Sequence, residues 1–66
     1  MANNEFFKAV ALKNLGEGRW IFKCENGKKY IENLSVALDR ISFENIDVGK
    51  EFYIDRFIVE NASTEV

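Results

Sequence analysis

The chain has 66 residues, with nine Lys and Arg, eleven Asp and Glu, no His and one Cys, for a net charge of −2. Because the chain has one cysteine and no histidine, it cannot form an internal disulfide and lacks the usual zinc ligand sets. We therefore expect no metal, no cofactor and no enzymatic activity. The unpaired thiol, the lack of an apolar run of about 18–20 residues and an N-terminus without a signal-peptide pattern predict a cytoplasmic protein that does not bind membranes.

The charge is unevenly distributed along the chain. Residues 1–31 carry six Lys and Arg against three Glu, a balance of +3, whereas residues 32–66 carry three against eight, a balance of −5. Such asymmetry is found in polar interaction surfaces and also in ordinary solvated surfaces.

We expect one domain over residues 5–60, with frayed ends at residues 1–4 and 61–66.

The first segment, residues 5–13, fits two patterns. As a strand it places Phe7, Ala9 and Ala11 on one face, while as a helix it aligns Phe7 with Ala11 and Leu15. We favour the strand, because a turn at Gly16-Glu17-Gly18 would then connect it to the next strand in a meander.

Residues 19–31 predict a β-hairpin closed by a two-residue Asn26-Gly27 turn of type I′, in which both residues have positive φ. This turn sets a register with Phe22 opposite Ile31, and the register assigns each side chain to a face. One predicted face, the core side, holds Trp20, Phe22, Cys24, Lys29 and Ile31. The other, exposed face holds Ile21, Lys23, Glu25, Lys28, Tyr30 and Glu32.

Residues 34–41 predict one short helix, since Leu34, Ala37, Leu38 and Ile41 share a helical face and Asn33 can serve as the N-cap. Residues 43–49 predict a short strand or extended segment that ends in a turn at Asp47-Val48-Gly49.

Residues 50–60 predict the longest apolar strand. Strict alternation places a charged side chain among the apolar ones on each face, so we expect a β-bulge at Asp55-Arg56. The bulge would turn four apolar side chains inward: Phe52, Ile54, Phe57 and Val59. An edge position for this strand would favour pairing between two copies, which predicts a homodimer.

Together these elements predict a mainly β fold: a small antiparallel barrel or meander with one short helix. Its order is similar, at a coarse level, to that of SH3-like and OB-like barrels. The alternative is an α+β fold in which one helix packs on a small antiparallel sheet.

The hairpin supplies the candidate contact residues. Tyr30 and Ile21, bordered by cations, resemble an interface with an aromatic anchor and a polar edge. This predicts a non-catalytic interaction module that binds a protein partner and can modulate a larger assembly. The alternative is single-stranded nucleic-acid binding, which an isoelectric point near 5.0 disfavours. The candidate binding residues are Tyr30, Ile21, Lys23, Lys28, Lys29 and Arg19.

Cys24 has two interpretations. A lysine opposite it could favour a reactive thiolate, whereas a place beside Phe22 would make it a small buried apolar residue. We expect the buried residue.

Overall fold

A computed structural model describes residues 5–66, which form an antiparallel five-stranded sheet and three short helices. The strand order is β4-β1-β2-β3-β5, and the sheet is open rather than closed into a barrel. The predicted mainly β meander is therefore confirmed. The elements are β1 (Phe6–Gly16), β2 (Arg19–Cys24), β3 (Lys29–Asn33), α1 (Leu34–Ala37), α2 (Arg40–Glu44), β4 (Glu51–Asp55), α3 (Arg56–Asn61) and β5 (Thr64–Glu65).

The first segment is a strand, as we predicted, and it extends beyond residue 13 to Gly16. Its alternation is regular at first, with Phe7, Ala9 and Ala11 buried and Phe6 exposed. The pairing with β2 then shifts between Ala11 and Lys13 and again between Asn14 and Gly16. These two bulges increase the local twist of β1 where it leaves the core.

The turn between β1 and β2 brings Gly18 against the start of α1. Gly18 has a φ of +82°, and a Cβ at this position would lie 2.6 Å from Ser35 Oγ. The Leu34 N–H also donates to the Gly18 carbonyl over 2.8 Å. Only glycine therefore meets both the conformation and the close approach here.

Asn33 is the N-cap of α1, as predicted, and its side chain accepts a hydrogen bond from Ser35 N at 3.0 Å. The predicted extension to residue 41 is wrong, because Leu38 adopts an extended conformation. Asp39 then begins a second helix, α2, by accepting a hydrogen bond from Ser42 N at 2.8 Å. A strong second N-cap thus divides one apolar periodicity into two helices.

The short strand or extended segment predicted over residues 43–49 does not form a strand, because α2 continues to Glu44. Phe43 and Ile46 instead pack against the edge of the core. The predicted turn is present: Lys50 N donates to the Asp47 carbonyl over 2.9 Å, and Gly49 has a φ of +85°.

The predicted bulge at Asp55-Arg56 is wrong as well. The strand ends at Asp55, whose carboxylate accepts a hydrogen bond from Phe57 N at 2.7 Å and so caps α3. The broken alternation marks a change from the two-residue period of a strand to the 3.6-residue period of a helix. Val59 is consequently buried, but Phe57 is 72% exposed rather than inward.

The core lies on one face of the sheet, beneath α1 and α3. Leu34 of α1 and Val59 of α3 are almost completely buried in the same cluster as the sheet residues. Phe22 lies at its centre, with its ring edge-on to Phe52 at a centroid distance of 5.6 Å. Because these helices cover the same face, no described helix covers the opposite face of the sheet.

Residues 61–66, which we predicted to be frayed, include the short strand β5. β5 pairs with β3, Tyr30 lying opposite Glu65 and Ile31 opposite Thr64. Residues 1–4, which we also predicted to be frayed, lie outside the described residues. Within residues 5–66, no helix is long and apolar enough to cross a membrane.

Candidate functional site: the open face of the sheet

The β2–β3 hairpin turns over three residues, Glu25 to Gly27, rather than two. Gly27 N donates to the Cys24 carbonyl and Cys24 N to the Lys28 carbonyl, each over 2.9 Å. Gly27 has a φ of +85°, whereas Asn26 is not among the described residues with positive φ. This pattern is a type I turn followed by a glycine bulge, so the predicted type I′ turn is wrong.

The side chain of Asn26 stabilises the longer turn. Its Oδ1 accepts a hydrogen bond from Lys28 N at 3.0 Å, and its Nδ2 donates to the Tyr30 hydroxyl over 3.1 Å. Asparagine favours such side-chain bonds two residues ahead. An Asn-Gly pair serves either turn, so the local sequence does not select between the two registers.

The longer turn moves the register by one residue and changes the face of five predicted side chains, one of which is Glu32, now opposite Trp20 on the core side. Tyr30, predicted to be exposed, is 7% exposed and lies opposite Phe22 in the core. Ile31, predicted to be core, lies half-buried on the opposite face. Lys29 moves to that open face, and Lys28 moves to the helix side, where it pairs with Glu65 at 4.0 Å.

β2 keeps its predicted sides. Trp20, Phe22 and Cys24 are buried, and Ile21, Lys23 and Arg19 face the other way. The structure therefore brings four of the six candidate contact residues to the open face of the sheet. Tyr30 and Lys28 are the two that it removes from this face. The four are Arg19, Ile21, Lys23 and Lys29.

The centre of the open face is an aliphatic patch, which we define as Val10, Ile21 and Ile31 on β1, β2 and β3. Ile21 lies directly opposite Ile31, and all three side chains are half-buried. No described helix covers them, so their exposed surface is available to another molecule.

Three lysines border this patch, and we call Lys13, Lys23 and Lys29 the lysine strip. Lys13 lies opposite Ile21, whereas Lys23 lies between Val10 and Lys29 in one cross-strand row. None of the three makes an ion pair with any residue in the described range. Like charges directly opposite each other destabilise a sheet, so the Lys23–Lys29 pair opposes folding.

Residues on β1, β4 and the hairpin turn form an aromatic groove at one end of the open face. The groove has a volume of about 560 Å³ and is lined by Phe6, Lys8, Glu25 and Tyr53. Lys8 Nζ lies 3.4 Å from a carboxylate oxygen of Glu51, and Lys8 N donates to Glu25 Oε1 over 3.0 Å.

The aromatic groove was absent from the sequence-based prediction. The sequence does predict that Phe6 and Lys8 share a face, because side chains alternate along the strand β1. That Tyr53 lies opposite Lys8 follows only from the pairing of β4 with β1.

Cys24 is the small buried residue that we expected. Burial, reinforced by the negative charge of Glu25, raises the pKa of its thiol to about 11. A thiol held neutral in this way is a poor nucleophile, which contradicts the reactive alternative. Elsewhere, hydrogen bonds from the backbone N–H and hydroxyl of Ser42 lower the pKa of Asp39, as its capping role requires.

The described part of the chain contains no group of three or more His, Cys, Asp and Glu side chains that could hold a metal ion. Comparison with known proteins found no matching family model, no matching curated protein and no matching solved structure. The chemistry of the open face is therefore the basis on which function can be inferred.

Proposed function

We propose that this protein is a non-catalytic interaction module that binds an acidic, partly apolar surface of a protein partner through its open face. The observation that carries the proposal is an aliphatic patch that no described helix covers, bordered by a lysine strip that makes no ion pair within residues 5–66. Protein interfaces combine such an apolar centre with a polar rim.

The electrostatics of the strip favour an anionic partner. Lys23 and Lys29 repel each other in the free protein, and a carboxylate placed between them would relieve that repulsion on binding. Complementary charge of this kind also accelerates association and selects the orientation of the complex. The central side chains are aliphatic, which suits a protein surface better than a stack of bases.

The remaining features support the same role. A small module of SH3-like or OB-like order can carry a binding site on an open sheet face, although fold order by itself does not define function. The unpaired Cys24 suits a reducing compartment such as the cytoplasm. By covering an acidic surface, the module would modulate a larger assembly.

Self-association through β4 is a second part of the proposal. β4 is an edge strand of the sheet, and Arg56 N donates to the Glu5 carbonyl over 2.8 Å. Every second residue of an antiparallel strand bonds to its neighbour. Because Arg56 bonds to Glu5, Tyr53, three residues earlier, directs its N–H and C=O away from β1 and towards a second copy. A dimer centred on Tyr53 would place Glu51 opposite Asp55 of the other copy, so we expect it to be weak.

Single-stranded nucleic-acid binding is the alternative function. Phe6 and Tyr53 are 43% and 66% exposed on the same face as the lysine strip, and exposed aromatics beside cations suit stacked bases. Against it, Glu25 and Glu51 lie at the aromatic end, where they would repel phosphates.

The test is an NMR titration of the labelled protein with two probes. One is a capped peptide of alternating Glu and Val, and the other is an oligothymidylate of about ten nucleotides. We expect the peptide to shift the amides of Val10, Ile21 and Ile31 and to bind several-fold more weakly to Lys23→Gln and Lys29→Gln.

Lys50→Gln is the matched control, because Lys50 is exposed in a turn and makes no ion pair with a described residue. It should bind the peptide like the wild type. Tighter, steeply salt-dependent binding of the oligothymidylate, with no response to the peptide, would instead support the alternative function.

A further inference from the structure

We infer that the aromatic groove is a second binding site on the open face, and that it takes a planar cation, the guanidinium group of an arginine side chain. The inference rests on the proposed function in one respect, that the protein partner would supply this arginine. The groove itself is built from Phe6, Lys8, Glu25 and Tyr53 and can be tested without the partner.

Two aromatic rings form walls of the groove. Phe6 lies opposite Asp55 and Tyr53 opposite Lys8, so the rings occupy diagonal positions on adjoining strands. Diagonal neighbours are within reach of aromatic side chains. Both rings are substantially exposed, and the face of an aromatic ring carries negative potential that attracts cations.

The charges in the groove favour a cation over an anion. The ammonium of Lys8 is already paired with Glu51 at 3.4 Å, which neutralises the one cation of the lining. Glu25 uses Oε1 to accept the Lys8 N–H. Its Oε2 makes no hydrogen bond within residues 5–66 and can accept one from a ligand.

A guanidinium suits this arrangement better than an ammonium. It is planar, it stacks on aromatic faces and it presents several N–H donors to one carboxylate. The protein already contains one such stack, because the Arg56 guanidinium carbon lies 5.0 Å from the centroid of the Phe7 ring. The volume of the groove, about 560 Å³, is large enough for one arginine side chain.

The groove adjoins the lysine strip, but the strip contributes no residue to the lining of the groove. Lys8 and Glu25 line both the groove and a smaller adjoining depression of about 250 Å³, and Lys23 lines only the smaller depression. The open face has a cationic region at the lysine strip and, at the groove, a region that favours a cationic ligand because Lys8 is already paired with Glu51. A partner segment with acidic residues followed by an arginine would match both.

The probes are capped arginine amide and capped citrulline amide, which share shape but differ in charge. We expect arginine amide to shift the signals of Phe6, Tyr53 and Glu25 in NMR titrations. Citrulline amide should bind about fivefold more weakly, as loss of one exposed ion pair implies. Glu25→Gln should reduce arginine binding by a similar factor, since Gln retains the oxygen that accepts the Lys8 N–H.

Each variant has a matched control. For Glu25→Gln the control is Glu17→Gln, which removes the same charge from an exposed turn. For Tyr53→Ala, which removes a ring of the groove, the control is Phe57→Ala, which removes an exposed ring outside it. Because Tyr53 and Glu25 are exposed, we expect both variants to fold, which circular dichroism checks. Only Glu25→Gln and Tyr53→Ala should weaken arginine binding.

Three outcomes would overturn the inference. They are equal binding of citrulline and arginine amides, equal effects of Glu25→Gln and Glu17→Gln, and tighter binding of cytidine than of arginine amide, which would indicate a site for bases. Failure here leaves peptide binding at the lysine strip intact, whereas failure of the proposed function abolishes that binding and leaves the arginine response unchanged.

Discussion

Replacing Lys29 should make the fold more stable while it weakens binding of an acidic partner. Lys29 lies directly opposite Lys23 and has no ion-pair partner among the described residues. Its backbone carbonyl still accepts the Val66 N–H in any variant. The side chain therefore contributes repulsion to the sheet without a compensating ion pair.

The magnitude follows from cross-strand pair energies. An opposite-charge pair contributes about 0.2–1 kcal/mol, and a like-charge pair is destabilising by a similar amount. Lys29→Gln should thus raise the unfolding free energy by about 0.2–1 kcal/mol, and Lys29→Glu by up to roughly twice that. In a domain of this size, 1 kcal/mol corresponds to a rise in Tm of about 4–8 °C.

Urea denaturation followed by Trp20 fluorescence measures this change, because Trp20 is 6% exposed in the fold. Raising the salt concentration should stabilise the wild type by screening the repulsion and should destabilise Lys29→Glu by screening the new attraction. Lys50→Glu makes the same change of charge away from the strip. The reasoning would be refuted if Lys29→Glu raised the unfolding free energy no more than Lys50→Glu does. It would also be refuted if the unfolding free energy of the wild type did not change with salt concentration.

Gly18→Ala should cost more unfolding free energy than Gly27→Ala in urea denaturation, since both require positive φ but only Gly18 meets Ser35. Keeping a positive φ should cost each alanine variant about 1–2 kcal/mol of unfolding free energy. Equal losses in the two variants would contradict the close approach of Gly18 to α1. Cys24 should react slowly with iodoacetamide at neutral pH unless urea is present, and rapid native-state labelling would contradict its burial. Because its pKa is raised from 9.0 to about 11, stability is unaffected below pH 9 and falls as the pH rises towards 11. Sedimentation at tens of micromolar should show a weak dimer that Tyr53→Pro abolishes, and a monomer at all concentrations would exclude pairing through β4.

Short-range patterns predicted the features that depend on neighbouring residues. The alternation of Phe7, Ala9 and Ala11 identified a strand and its buried face. Asn33 was identified as an N-cap because its side chain acts within two residues. The turn before Lys50 follows from Gly49, which adopts positive φ. Each of these features is decided by local backbone and side-chain chemistry.

At two places where the local sequence fits more than one structure, the sequence-based choice failed. The hairpin turn admits two or three residues, and the structure adopts the second, which buries Tyr30 against Phe22. The apolar residues after Ile54 fit a bulged strand or a strand followed by a helix, and the cap made by Asp55 accompanies the helix. Packing decides such cases, because the burial of large side chains outweighs small differences in local propensity.

The sequence by itself determined a small antiparallel β domain with an aromatic core and an excess of cations in its first half. Only the tertiary structure decided which of those cations share a surface. The one-residue change in register brought Lys29 beside Lys23, and the pairing of β4 with β1 brought Tyr53 beside Lys8. Such long-range pairings depend on how the whole core packs, so no local pattern in the chain specifies them.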